Sequence, residues 1–197
     1  MNLERHRTGP WVLLALVVSS GCGAGPRPAP APPCDQACQD GVALRGVRTA
    51  MKIAYNFAVA AQPVGAQDKM APCVSFDGTR GGSVHVFGNA SVNAIQGASI
   101  VALSYDFEDC LYSAAPDATA NQNFSLTMTG LVTEGGTLSV QPTATTALAI
   151  ASDSLSISGT VYDPPLDYAV SGCALSVIQN GNEVSGALCG RKAGFTF

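Results

Sequence analysis

Two hydrophobic rhythms divide the chain. In residues 35–61, DQACQDGVALRGVRTAMKIAYNFAVAA, the residues Leu44, Val47, Met51, Ala54 and Ala58 recur three and four positions apart, which predicts one long helix. Gln62-Pro63 stops it, because the residue before a proline disfavours helical backbone. Ile53, Phe57 and Ala60 widen the apolar face and predict a well-buried second half, while Gly41 and Gly46 weaken the first. From about residue 83 the period becomes two. FSLTMTGLV (124–132) and LSISGTV (155–161) alternate large apolar side chains with Ser and Thr, as half-buried strands do. Turn residues fall at Gly135-Gly136, Asp163-Pro164-Pro165 and Asn180-Gly181, and DGTRGGS (77–83) also reads as a turn. The fold class expected is α+β, mostly β: one N-terminal helix packed on a curved antiparallel meander of roughly eight to ten strands.

A glycine pattern runs through the strands. Val84 to Gly88, Leu126 to Gly130, Leu155 to Gly159 and Tyr168 to Gly172 share the template apolar-x-apolar-x-Gly, and Val184-Ser185-Gly186 repeats its end. In each, the glycine has the parity of the apolar residues, so it is expected on the inner face. Glycine inside a strand marks a bend, a bulge or a close approach. Gly88, Gly130, Gly159, Gly172 and Gly186 are therefore expected to line a hollowed concave face, filled by the Ala-rich helix and, in what remains, open to an apolar ligand.

The first residues follow neither rhythm. Arg5 and Arg7 precede an apolar run from Trp11 to Val18, then Ser19, Ser20, Gly21 and Cys22. That run is far short of the roughly 20 residues a membrane span needs. A basic start, a short apolar core and small residues fit an export signal. The segment resembles the lipobox of bacterial lipoproteins, with Ser19 where the family prefers Leu. The resemblance implies cleavage before Cys22, a diacylglyceryl chain on its sulfur and an acyl chain, such as palmitate, on its amine. Residues 23–33, GAGPRPAPAPP, have the composition of an extended tether reaching about 34 Å. The expected organisation is a signal peptide (1–21), a lipidated Cys22 with a Pro/Ala-rich linker (22–33), and a single domain (34–197).

Composition narrows the class. Charged residues make up 12 % of the chain. Beyond the signal, ten basic residues less Arg5 and Arg7 leave eight, and fourteen acidic residues less Glu4 leave thirteen, which argues against nucleic acid as a partner. Six cysteines remain besides Cys22, and an even count behind an export signal suggests three disulfides. Cys173 and Cys189 flank a hairpin. A three-residue Asn180-Gly181-Asn182 loop sets them opposite each other, whereas a two-residue Asn180-Gly181 turn pairs Cys173 with Leu188. Cys73 and Cys110 bracket the first strands, and Cys34 pairs with Cys38 by exclusion.

No catalytic or phosphate-binding signature occurs, and no metal or cofactor is implied. His85 is the single histidine beyond the signal and sits in an alternating strand. Asp106 and Glu108 share a strand face about 7 Å apart, a spacing usable for glycoside hydrolysis or calcium but common on solubilised surfaces. Arg45, Arg48 and Lys52 form a basic stripe that reads as a solvated face or, more sharply, as a contact for anionic lipid headgroups. The functional expectation is a membrane-anchored, extracytoplasmic lipoprotein, facing the periplasm or the cell surface, with a non-enzymatic structural or binding role in the cell envelope and an envelope protein among its partners. The alternative is a carrier for an apolar ligand held between helix and concave sheet; a hydrolase ranks third.

Overall fold

Asp35 starts the helix. Its backbone is extended and its carboxylate accepts the Cys38 amide at 2.9 Å, satisfying one of the free donors of the first turn. The computed structural model describes residues 33–59, 64–93, 97–117, 119–139 and 145–197. The predicted signal peptide, Cys22, linker residues 22–32 and Ala60 lie outside the described residues. Helix α1 runs Gln36–Ala58, and the Val59 amide closes it on the Tyr55 carbonyl at 2.8 Å. Cys34 lies ahead of the cap, so its bond to Cys38 spans the helix entrance and not a regular turn.

Eight strands follow: β1 (Gly65–Val74), β2 (Arg80–Asn93), β3 (Ala98–Ser113), β4 (Phe124–Ser139), β5 (Ala147–Val161), β6 (Leu166–Asn180), β7 (Glu183–Leu188) and β8 (Arg191–Thr196). Each pairs antiparallel with the next, in the order β1 to β8, so the sheet is an open meander with β1 and β8 as its edges. The predicted class therefore holds. Strand β1 lay ahead of the expected start of period two. It carries Pro72, which an edge strand tolerates because its amide need not join a ladder.

Two turn expectations are corrected. Gly135 and Gly136 lie inside β4, paired with β3 and β5. The first turn is confined to the residues before Arg80, so Gly81, Gly82 and Ser83 belong to β2.

The sheet curls for reasons visible in its backbone. Strands β3 and β4 are each 16 residues long, about 53 Å if straight, against about 35 Å for the 23-residue helix. Register breaks cross them in a band: Phe107/Cys110 in β3, Thr129/Thr133 in β4, and Ser152/Leu155 with Leu155/Ile157 in β5. Such breaks bend strands and increase twist. Glycines bend them further. Gly88, Gly130, Gly136, Gly159 and Gly186 all have φ between 125° and 158°, a region closed to most side chains. A Cβ on Gly159 would stand 2.1 Å from the Ser125 carbonyl oxygen of the neighbouring strand. These residues thus bend the backbone; space for a ligand is not what requires them.

Gly88, Gly130, Gly159 and Gly186 occur in register with inward residues, opposite Leu103, Phe107, Leu126 and Val177 respectively. Gly172 does not share their face. It falls at the register break before Cys173, at φ 58°, and is exposed. The break shifts the inward parity of β6 from Tyr168 and Val170 to Leu175 and Val177.

The helix lies along the concave face, against both edge strands and β4. One apolar core joins Leu44, Val47 and Met51 to Tyr105, Phe107, Leu126, Met128, Leu155 and Ile157, all at most 1 % exposed. Fully burying one such side chain contributes roughly 1.5–3 kcal/mol. The glycine-bearing half of the helix is the tightly seated half, because Gly41 and Gly46 let its backbone approach the sheet. The second half is buried on one side only. Ile53 and Phe57 are 43 % and 58 % exposed, contrary to the expected full burial, since they flank the β1 edge instead of facing the trough.

The three expected disulfides form: Cys34–Cys38, Cys73–Cys110 and Cys173–Cys189. They fit an oxidising, extracytoplasmic environment. The β6–β7 hairpin has neither expected register. Asn180 pairs with Glu183 around a Gly181-Asn182 turn, and Leu175 faces Leu188. Cys189 lies just past β7 at φ 53°, and from there it reaches Cys173 at the β6 break. Among the described residues, no helix is long and apolar enough to cross a membrane.

Candidate functional site: a polar pocket at one end of the trough

Inward positions on a curled sheet should be apolar, and most are. Glu134 on β4 and Gln179 on β6 are exceptions, with the parity of Val132 and Val177 and exposures of 3 % and 6 %. Facing them from α1 is Arg48, four residues after Leu44 and 4 % exposed. The Arg48 guanidinium donates through Nε to Gln179 Oε1 at 2.8 Å, and its Nη2 lies 3.3 Å from Glu134 Oε1. The Tyr105 hydroxyl donates to Glu134 Oε2 at 2.6 Å, and Gln179 Nε2 donates to the Gly181 carbonyl at 2.8 Å. Burial pushes the Tyr105 hydroxyl well above its ordinary pKa, and the adjacent Glu134 carboxylate adds to this, so the phenol remains a donor. Among the described residues Glu134 Oε1 accepts no hydrogen bond although it is buried; the Arg48 charge lies beside it at 3.3 Å.

These groups floor a pocket of about 350 Å³. The helix contributes Arg48, Lys52, Tyr55 and Asn56; the rim is made by Ser139, Thr146, Asn182 and Phe197. Arg45, one turn earlier, lies 4.8 Å from the Phe195 ring centre and donates to the Thr196 carbonyl, fixing the last strand beside the opening. The basic stripe is thus not a uniform solvated face. Arg48 turns inward with Leu44 and Met51, and of the three only Lys52 is exposed.

A second polar cluster lies nearer the helix start. Asp40, wholly buried, accepts from Arg191 Nε at 2.7 Å and Nη2 at 2.8 Å, from the Tyr168 hydroxyl at 2.7 Å and from Gln36 at 3.0 Å. Burial raises the pKa of this carboxyl, but the hydrogen bonds outweigh it and hold Asp40 below its ordinary 3.8. These four hydrogen bonds tie helix, β6 and β8 together.

The other residues singled out from sequence lie on the outer face. His85 Nε2 is 2.6 Å from Asp68 Oδ1, with Asp106 in register beside it. Glu108 is exposed and accepts from Ser83 at 3.4 Å. Among the described residues no group of three or more His, Cys, Asp or Glu side chains could hold a metal. Cys22 lies outside the described residues. An apolar groove of about 210 Å³ runs between Ala50, Ile53, Ala54 and Phe57 of the helix and Ala71, Val84 and the Cys73–Cys110 bond.

The polar pocket is not visible in the sequence because Glu134 stands beside the expected Gly135-Gly136 turn and Arg48 in an expected surface stripe. The signal was present: three polar residues at positions whose helical or strand parity belongs to the core. No family model, curated protein or solved structure matches the chain.

Proposed function

We propose that the chain is a lipid-anchored, extracytoplasmic protein of the cell envelope whose β-domain is a non-enzymatic binding module, with the polar pocket as its ligand site. One observation carries the binding reading: Arg48, Glu134 and Gln179 are buried together on the floor of a 350 Å³ space at one end of the trough. A buried ion pair is poor support for stability, since apolar side chains of similar volume serve a core as well or better. Its placement at a pocket is better explained by recognition. The anchor reading is supported by the lipobox-like residues ending at Cys22 and by a set of six further cysteines that are all paired.

A carrier of apolar ligands has less support. The concave face is occupied by α1, and the 210 Å³ apolar groove falls below the roughly 300–1,000 Å³ of ligand pockets.

The test is fractionation with mass spectrometry. Full-length protein is purified from bacterial membranes and any co-eluting small molecule identified, for the natural chain and for Arg48→Met/Glu134→Leu. A small polar molecule lost from the double variant supports the module; nothing retained by either overturns it. Cys22→Ser should release the protein from membranes, and persistence there after a high-salt wash would refute the anchor.

A further inference from the structure

We propose that the polar pocket takes a small organic carboxylate bearing a hydroxyl or ammonium group next to its anionic end. This rests on the binding reading above and narrows it to a chemical class. The pocket floor sets two requirements. Glu134 Oε1 is a buried acceptor without a hydrogen bond, and burial without a donor is costly, so the ligand must bring a donor. Arg48 uses Nε on Gln179, while its Nη2 stands 3.3 Å from Glu134 with no hydrogen bond between them, which leaves guanidinium protons for an acceptor. Two cations, Arg48 and Lys52, line the pocket against one carboxylate, Glu134. The lining side chains therefore sum to one positive charge, which favours an anionic group on the ligand.

Geometry brings the two requirements close together. Donor and acceptor sites flank the same 3.3 Å gap, so the ligand's donor must sit beside its anionic group. A carboxylate also matches the planar guanidinium fork. The volume, about 350 Å³, is at the small end for ligand pockets and suits an amino acid, a hydroxy acid or a sugar acid. Tyr55 and Phe197 supply flat surfaces for the ligand's carbon skeleton.

The experiment titrates the full chain with serine, lactate and gluconate, following the side-chain NMR signals of Arg48 Nε and the Gln179 amide. Propionate, which lacks the donor, and lactamide, which lacks the charge, serve as controls. At least one of the three acids should bind with Kd below about 1 mM, and each control about tenfold or more weakly. Lys52→Ala changes an exposed side chain and leaves the core intact; it should weaken binding about threefold and reduce its salt dependence. If propionate or lactamide binds as well as lactate, or Lys52→Ala binds unchanged, the class is wrong while the binding module stands. If no compound moves the Arg48 and Gln179 signals and membrane-purified protein also carries nothing, both readings fall.

Discussion

Gly41 of the helix lies against the backbone of Gly194 in the last strand: a Cβ at position 41 would stand 2.8 Å from the Gly194 carbonyl oxygen. Backbone cannot yield as a side chain can. Gly41→Ala should therefore destabilise by about 1–3 kcal/mol, despite the roughly 1 kcal/mol that alanine gains in helix propensity. Gly46 is the control. A Cβ there meets Leu126 Cδ1 at 2.7 Å and the Phe124 ring at 3.3 Å, atoms at the ends of side chains that can turn aside. Gly46→Ala should lie within about 1 kcal/mol of the natural chain. Thermal melts of both decide the matter, and equal losses would mean that the helix is not seated as described.

The sheet glycines make a second contrast. Gly159 has φ 138° and would place a Cβ 2.1 Å from Ser125 O, whereas Gly181 has φ 58° with nothing within 4 Å. Gly159→Ala should cost more than about 2 kcal/mol or prevent folding, through strain and collision together. Gly181→Asn should cost less than about 1 kcal/mol, because asparagine tolerates the left-handed turn. Denaturant midpoints read both; a tolerated Gly159→Ala would remove the backbone explanation of the curl.

The Arg48–Glu134 pair should behave as a unit. Glu134→Leu alone strands a buried guanidinium and should destabilise by about 3–5 kcal/mol. Arg48→Met/Glu134→Leu removes both charges and should be neutral or more stable by about 1–4 kcal/mol. A double variant as weak as the single one would make the pair a stabilising element and detach it from ligand recognition.

Acid should loosen the helix from β8. The pKa of Asp40 is lowered in the folded state, so its contribution is complete above the ordinary value of 3.8 and is lost as pH falls below it. Asp40→Asn should flatten the fall in stability over that acid range. Tyr105 and Tyr168 have raised values, so their contribution is complete below their ordinary 10.0 and is lost as pH climbs beyond it. Unfolding free energies between about pH 2 and 6 test the Asp40 effect; an unchanged acid slope in Asp40→Asn would rule it out.

Much of the architecture was legible because period and parity are local. The helix from Gln36, the alternating strands β4 and β5 and the three cysteine pairings all follow from residues near in sequence or from simple exclusion. Three features were not legible. Strand β1 hides behind Pro72 and a weak alternation. Gly135-Gly136 has turn composition but is held in β4 by its two neighbours. The parity of β6 changes at Gly172, a register break that no single-strand pattern displays. The pocket failed for a related reason: Arg48, Glu134 and Gln179 carry meaning only once three distant segments are brought together.

The link from Asp40 to Arg191 spans 151 positions of the chain. Each hairpin can close from neighbouring residues, but α1 makes its most extensive contact with β8, the far strand of the meander. Docking of the helix against β8 is therefore a long-range closure that costs loop entropy. Until residues 191–196 are delivered, Asp40 and Arg45 of the helix lack their partners in β8. A chain delivered from its N-terminal side would thus complete this contact only when β8 emerges. Truncation before Arg191 should give an unfolded, protease-sensitive product, and a trimmed but native domain would contradict the role given to β8.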